Sequence, residues 1–161
     1  MDHGGLIVNG PTEPPLQGLT IAKLLEQQLA RHPEKPAVVS KWQKTSLTYK
    51  SLFDSCRDIA QALILHGVRP SDRVVALAGN SIEYVQLFFA AGAVGSVFTI
   101  INPTFTAEEV VSTVDFIGRL LPLWQCTVAL HDFNSANSDT AQLRRQFSSP
   151  TGLGIEITRT F

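Results

Sequence analysis

The stretch VRPSDRVVALAGNSIEYVQLFFAAGAVGSVFTIINPTFTAEEVVSTVDFI, residues 68–117, decides the fold. Its run Arg73-Val-Val-Ala-Leu-Ala78 is continuously apolar, the pattern of a strand covered on both faces rather than one. Asn80, with Glu83 three residues on, has the form of a capping box ahead of a helix carrying Ile82, Val85, Phe88 and Phe89, which residues 92–95 end. Residues 97–101 read as the next strand and Asn102-Pro103 as a turn. Thr106 with Glu109 forms a second box ahead of Val110, Val111, Val114 and Ile117. Strands alternating with helices through short loops imply an α/β unit, a partial parallel sheet with flanking helices and right-handed crossovers.

Upstream, Thr20 is placed to cap a helix whose apolar positions Ile21, Leu24, Leu25 and Leu29 recur at the spacing of one buried face. The proline-bounded residues 37–40 suit a short strand, and a second ends at Leu47. Thr48 caps the next helix, with Leu52, Phe53, Cys56, Ile59, Ala60, Leu63 and Ile64 as its stripe and Gly67 at its left-handed end. The organisation expected is a flexible arm at 1–19, a compact unit at 20–117 and a poorly ordered tail at 118–161. Within that tail, residues 120–130 have room for one more strand, whereas 134–138 are polar.

With 161 residues, 44% of them hydrophobic, the chain has the make-up of one globular domain. A net charge of -1 with scattered basic residues excludes the concentrated cationic face of a nucleic-acid binder. Cys56 and Cys126 lie far apart with no histidine cluster beside them, which indicates neither a disulfide framework nor a zinc site, so an intracellular setting is the default expectation. The most apolar stretch, residues 88–101, is too short for a bilayer and broken by glycine, so no membrane insertion is expected.

Three segments, taken in order, resemble the opening of an adenylate-forming enzyme, the superfamily of acyl-CoA synthetases, luciferases and peptide-synthetase adenylation domains. Leu47-Thr48-Tyr49 with Leu52 is similar to its first core motif, and Phe89-Ala-Ala-Gly-Ala-Val-Gly95 leading to Asn102-Pro103 to its second. Asp72-Arg73-Val74 is similar to its lead into the sheet, and the Asn-Pro-x-x-Thr-x-x-Glu form from Asn102 to Glu109 looks most like the acyl-CoA and coumarate-CoA ligases. Ser51 stands where the family usually has an acidic residue, and Ser71 where it has glycine.

The resemblance implies ATP-dependent activation of a carboxylic acid to an acyl adenylate, followed by transfer to coenzyme A, with magnesium. It also implies a phosphate loop ending in lysine, a metal-binding glutamate, a ribose-binding aspartate and a lid lysine, none of which has a counterpart in this sequence. No catalytic, cofactor-binding or metal residue is therefore assigned, and no ATP, magnesium or coenzyme A is expected to bind these 161 residues alone.

Ser148-Ser-Pro-Thr-Gly-Leu-Gly154 echoes the phosphate loop but lacks its lysine, and Pro150 removes a needed N–H. His131-Asp132 reads as a loop pair rather than a base and its orienter. His66 complements a helix dipole, Phe88-Phe89 belong to the core, and Cys56 is a buried structural thiol.

The expectation is a truncated, inactive ligase relative. The change of character after residue 117 is what a retained intron, a frameshift or a mispredicted gene model produces. The alternative is a small non-catalytic module binding a partner or a full-length paralogue through an open sheet edge. Apolar surface at residues 74–77 and 97–101 should favour self-association or chaperone binding. The location expected is cytoplasmic, with a peroxisomal address an option for a longer parent.

Overall fold

The computed structural model describes residues 17–119, 126–130 and 155–156, together with Glu13 and Pro15. The elements run α1 (Ile21–Arg31), β1 (Pro36–Ser40), β2 (Thr45–Thr48), α2 (Tyr49–Leu65), β3 (Arg73–Leu77), α3 (Ile82–Val94), β4 (Val97–Ile101), α4 (Ala107–Arg119), β5 (Cys126–Leu130) and β6 (Ile155–Glu156). β1 and β2 form an antiparallel hairpin, and the main sheet has the order β4-β3-β5-β6. β3 is parallel to β4 and β5, and β6 runs antiparallel to β5. The α/β architecture expected from the alternating pattern is therefore present. β5 and β6 fall within residues 118–161; most of that segment, and most of residues 1–19, lies outside the described residues.

β3 is apolar throughout because both of its faces are covered. Val74 joins Ala60 and Leu63 of α2 and Ala90, Ala91 and Val94 of α3 in one core. On the opposite face Val75 and Leu77 pack with Ile101, Val110 and Ile117. A third cluster, Leu25, Leu52 and Cys56, ties α1 to α2 beneath the hairpin. This overturns the expectation of exposed apolar surface at residues 74–77, since Val74 and Val75 are 0% exposed and two layers of helix lie over them. Within residues 74–77 and 97–101 the exposed large apolar side chains are those of Val97 and Ile100 in the outer strand β4.

The helix ends follow their side chains. Thr20 Oγ1 accepts from Lys23 N and Thr48 Oγ1 from Ser51 N, so both caps form as expected. At α3 the cap is Ser81, not Asn80: Ser81 Oγ accepts from Tyr84 N, and Glu83 Oε2 accepts from Gln43 Nε2. Gly95 ends α3 with φ 81°, a conformation that glycine adopts without strain. The helical stripes are narrower than their periodicity suggests. In α1 only Leu25 is buried, with Ile21 and Leu24 at the surface, and in α2 Ile64 is exposed. Each of these helices has neighbours on one side, and those neighbours cover less than the full apolar arc.

Ser71 holds φ 73°, the left-handed region, while its N–H donates to Gly95 O at 2.8 Å. A Cβ strains there and glycine does not, which gives physical content to the glycine usual at this point in the resembling family. Ser71→Gly should raise stability by up to about 1 kcal/mol, the relief of strain outweighing the added freedom of the unfolded chain. A urea midpoint that stays or falls would contradict this.

Candidate functional site

In open α/β sheets ligands gather beyond the carboxyl ends of the strands, where helix N-termini offer free N–H groups and a positive dipole end. Among the described residues two helices start there, α3 after β3 and α4 after β4, and both starts are already engaged.

At α3, Gln43 reaches across from the hairpin turn. Its Oε1 accepts from Ile82 N at 2.9 Å while its Nε2 donates to Glu83 Oε2 at 2.9 Å. Beside it, Trp42 Nε1 donates to Asn80 O at 2.9 Å. The β1–β2 turn thus clamps the β3–α3 loop, using an amide donor and acceptor that helix periodicity has no means of revealing.

At α4 the box forms as expected. Thr106 N and Oγ1 donate to Glu109 Oε2 at 2.8 and 3.0 Å, and Glu109 N donates to Thr106 Oγ1. Asn102 Oδ1 accepts from Thr104 N and from Thr104 Oγ1, so Asn102-Pro103 is a self-contained turn. Glu83 lies in the first turn of α3, and Glu108 and Glu109 in that of α4. These carboxylates compensate the dipoles and repel a second anion. The described residues do not fit a magnesium polyphosphate.

Other groups have structural surroundings. Asp72 is buried, and its Oδ2 accepts from Arg69 N at 2.7 Å, pinning the turn that feeds β3. Phe88 meets Phe89 and Phe98 edge to face, with centroids 5.5 and 5.6 Å apart, as core aromatics do. His66 is the C-cap residue of α2. The hairpin carries a shallow open depression of about 480 Å³ lined by Val39, Ser40, Lys41, Lys44, Thr45 and Ser46, none of them a carboxylate, histidine or thiol. Among the described residues no group of three or more His, Cys, Asp or Glu is placed to hold a metal ion, and no helix is long and apolar enough to cross a membrane. His131, Asp132 and residues 148–154 lie outside the described residues.

Burial pushes the Cys56 thiol from its ordinary 9.0 up to about 12, and it raises the Tyr84 hydroxyl as well. The unfolded chain ionises Cys56 first. The stability held below about pH 9 is therefore lost as pH rises from there towards 12. The stability difference between wild type and Cys56→Ala should shrink across that window in urea titrations. A difference that grows with pH would contradict the burial argument.

The AMP-binding enzyme family matches residues 25–119, the span that holds both strand-end loops. The chain belongs to that family. It is 35% identical over 133 residues to acyl-CoA ligase SID4 of Ajellomyces capsulatus, covering 83% of this chain and 23% of the ligase. To 4-coumarate–CoA ligase 2 of Nicotiana tabacum it is 31% identical over 85 residues, covering 53% of this chain and 16% of that one. Its fold superposes on a fatty acyl CoA synthetase of Mycobacterium tuberculosis with a TM-score of 0.66 at 25% identity, over 83% of this chain and 25% of that one. The AMP-binding segment thus spans less than a quarter of the curated relatives it matches.

Proposed function

We propose that this chain is the scaffold-forming opening of an acyl-CoA synthetase-type ligase, and that its 161 residues alone do not carry out the ligation. The parent reaction is activation of a carboxylic acid by ATP to an acyl adenylate, then transfer of the acyl group to coenzyme A. The observation that carries this reading is the closure of both helix N-termini by Ser81, Gln43, Thr106 and Glu109, with carboxylates where a phosphate would need positive potential. The motifs that resemble the family thus hold turns and helix starts, and the charge stabilisation that phosphoryl chemistry requires is left to other groups. Family membership supports the reaction class, and the first relatives named above are ligases of this kind.

Purified chain, incubated with ATP, magnesium, coenzyme A and a panel of fatty and aromatic acids, should release no more pyrophosphate than a protein-free control. Calorimetric titration with magnesium-ATP should give no saturable heat. Acid-dependent pyrophosphate release above the control, in a preparation free of host ligases, would overturn the proposal.

A further inference from the structure

We propose that two copies of this chain pair through the outer edge of the main sheet, β4 against β4 in antiparallel register about Thr99, as a two-fold dimer with one continuous sheet. Among the described residues β4 ends the sheet, bonded to β3 on one side. Its sequence Val-Phe-Thr-Ile-Ile has no charge and no proline, and its register with β3 runs without a bulge, so the devices that usually protect an edge are missing from it. Ile100 is 64% exposed on the face where Phe98 packs on Tyr84 and Phe88, and Val97 is 48% exposed on the opposite face. The pairing depends on β4 alone and is independent of the ligation chemistry proposed above.

The hydrogen-bond pattern sets the register and selects a second copy as the occupant. Val97 N donates to Asp72 O at 2.7 Å, towards β3. Backbone groups alternate sides along a strand, so Val97, Thr99 and Ile101 bond inward, and the N–H and C=O of Phe98 and Ile100 point outward. A two-fold centred on Thr99 sets Phe98 opposite the partner's Ile100, and Ile100 opposite the partner's Phe98. Each of these pairs exchanges both N–H···O bonds and covers an exposed isoleucine with an aromatic ring. On the other face Val97 meets the partner's Ile101, and the two Thr99 side chains meet at the axis. Moving the axis to Phe98 or to Ile100 sets Ile100 against Ser96, or Phe98 against Asn102, so the strand is its own best complement at Thr99. Residues 95–103 carry no charge that would repel a copy of themselves. One strand pair of this length buries less than the ~1,200 Å² of a standard interface, so the dimer should dissociate on dilution.

Sedimentation velocity on the full chain over a dilution series tests this. The wild type should pass from monomer to dimer as concentration rises. Ile100→Lys, at an exposed position, should keep the wild-type melt and raise the dimer dissociation constant about tenfold or more, since it removes an apolar pair on each side of the axis. Leu65→Lys, at a residue 87% exposed on α2, should leave that constant unchanged. With copper phenanthroline as the oxidant, Thr99→Cys should form an intermolecular disulfide beyond the background of the native thiols. The axial pair is not hydrogen-bonded, and its Cα atoms lie about 4.5 Å apart, within disulfide reach. Val97→Cys should not, because its counterpart lies opposite the far end of the strand, roughly 13 Å away. The proposal is overturned by a wild type that stays monomeric or grows beyond a dimer, or by a folded Ile100→Lys that dimerises as the wild type does. It is equally overturned if Thr99→Cys crosslinks no better than Val97→Cys, a comparison that decides the matter even where Ile100→Lys fails to fold.

Discussion

Leu63→Ala should lower folding stability by about 2–5 kcal/mol, whereas Ile64→Ala, one position on, should change it by no more than about 0.5 kcal/mol. Both residues sit in the apolar stripe of α2, and the sequence pattern treats them alike. In the fold Leu63 is 0% exposed among Val74, Ala90, Ala91 and Val94, so truncation leaves a cavity between helix and sheet that close packing cannot fill. Ile64 is 57% exposed and loses little. Since domains of this size are stable by only about 5–15 kcal/mol, the first variant should unfold at far lower urea. Equal effects at the two positions would mean that α2 is rotated from the placement described.

Asp72→Ala should cost about 1–3 kcal/mol, the penalty for leaving a buried N–H without its partner. The carboxylate accepts from Arg69 N, and the same residue's backbone carbonyl accepts from Val97 N at 2.7 Å, so one side chain holds the turn on which β3 and the start of β4 both depend. Asp72→Asn keeps an acceptor at that position and should lose less than half as much. A denaturant series on the three proteins separates the two ideas. If asparagine is as damaging as alanine, the charge matters rather than the turn.

Sequence pattern reached the elements of this fold because their causes are local. The capping threonines Thr20, Thr48 and Thr106 are read from residues three apart, and the continuous apolar run of β3 announces cover on both faces before any partner is known. What escaped depends on residues distant in the chain. Asn80 looked like the cap of α3, but Gln43, 39 positions from Ile82, takes the neighbouring N–H, and Ser81 serves as the cap. The apolar surface expected on residues 74–77 had the same origin, because Val110 and Ile117 complete the cover from beyond β4. As for the site, the loops at the strand ends were legible as turns, while the clamp of Trp42 and Gln43 across them was not.

The central position of β3 has a temporal side. Its partner β4 is complete at Ile101, but its other neighbour β5 begins at Cys126, 25 positions later. At a synthesis rate of about 5–20 residues per second, the nascent chain spends roughly 1–5 s with a formed strand pair whose second edge has nothing to pair with. During translation that interval, more than the finished architecture, leaves the second edge of β3 open to pairing with other strands.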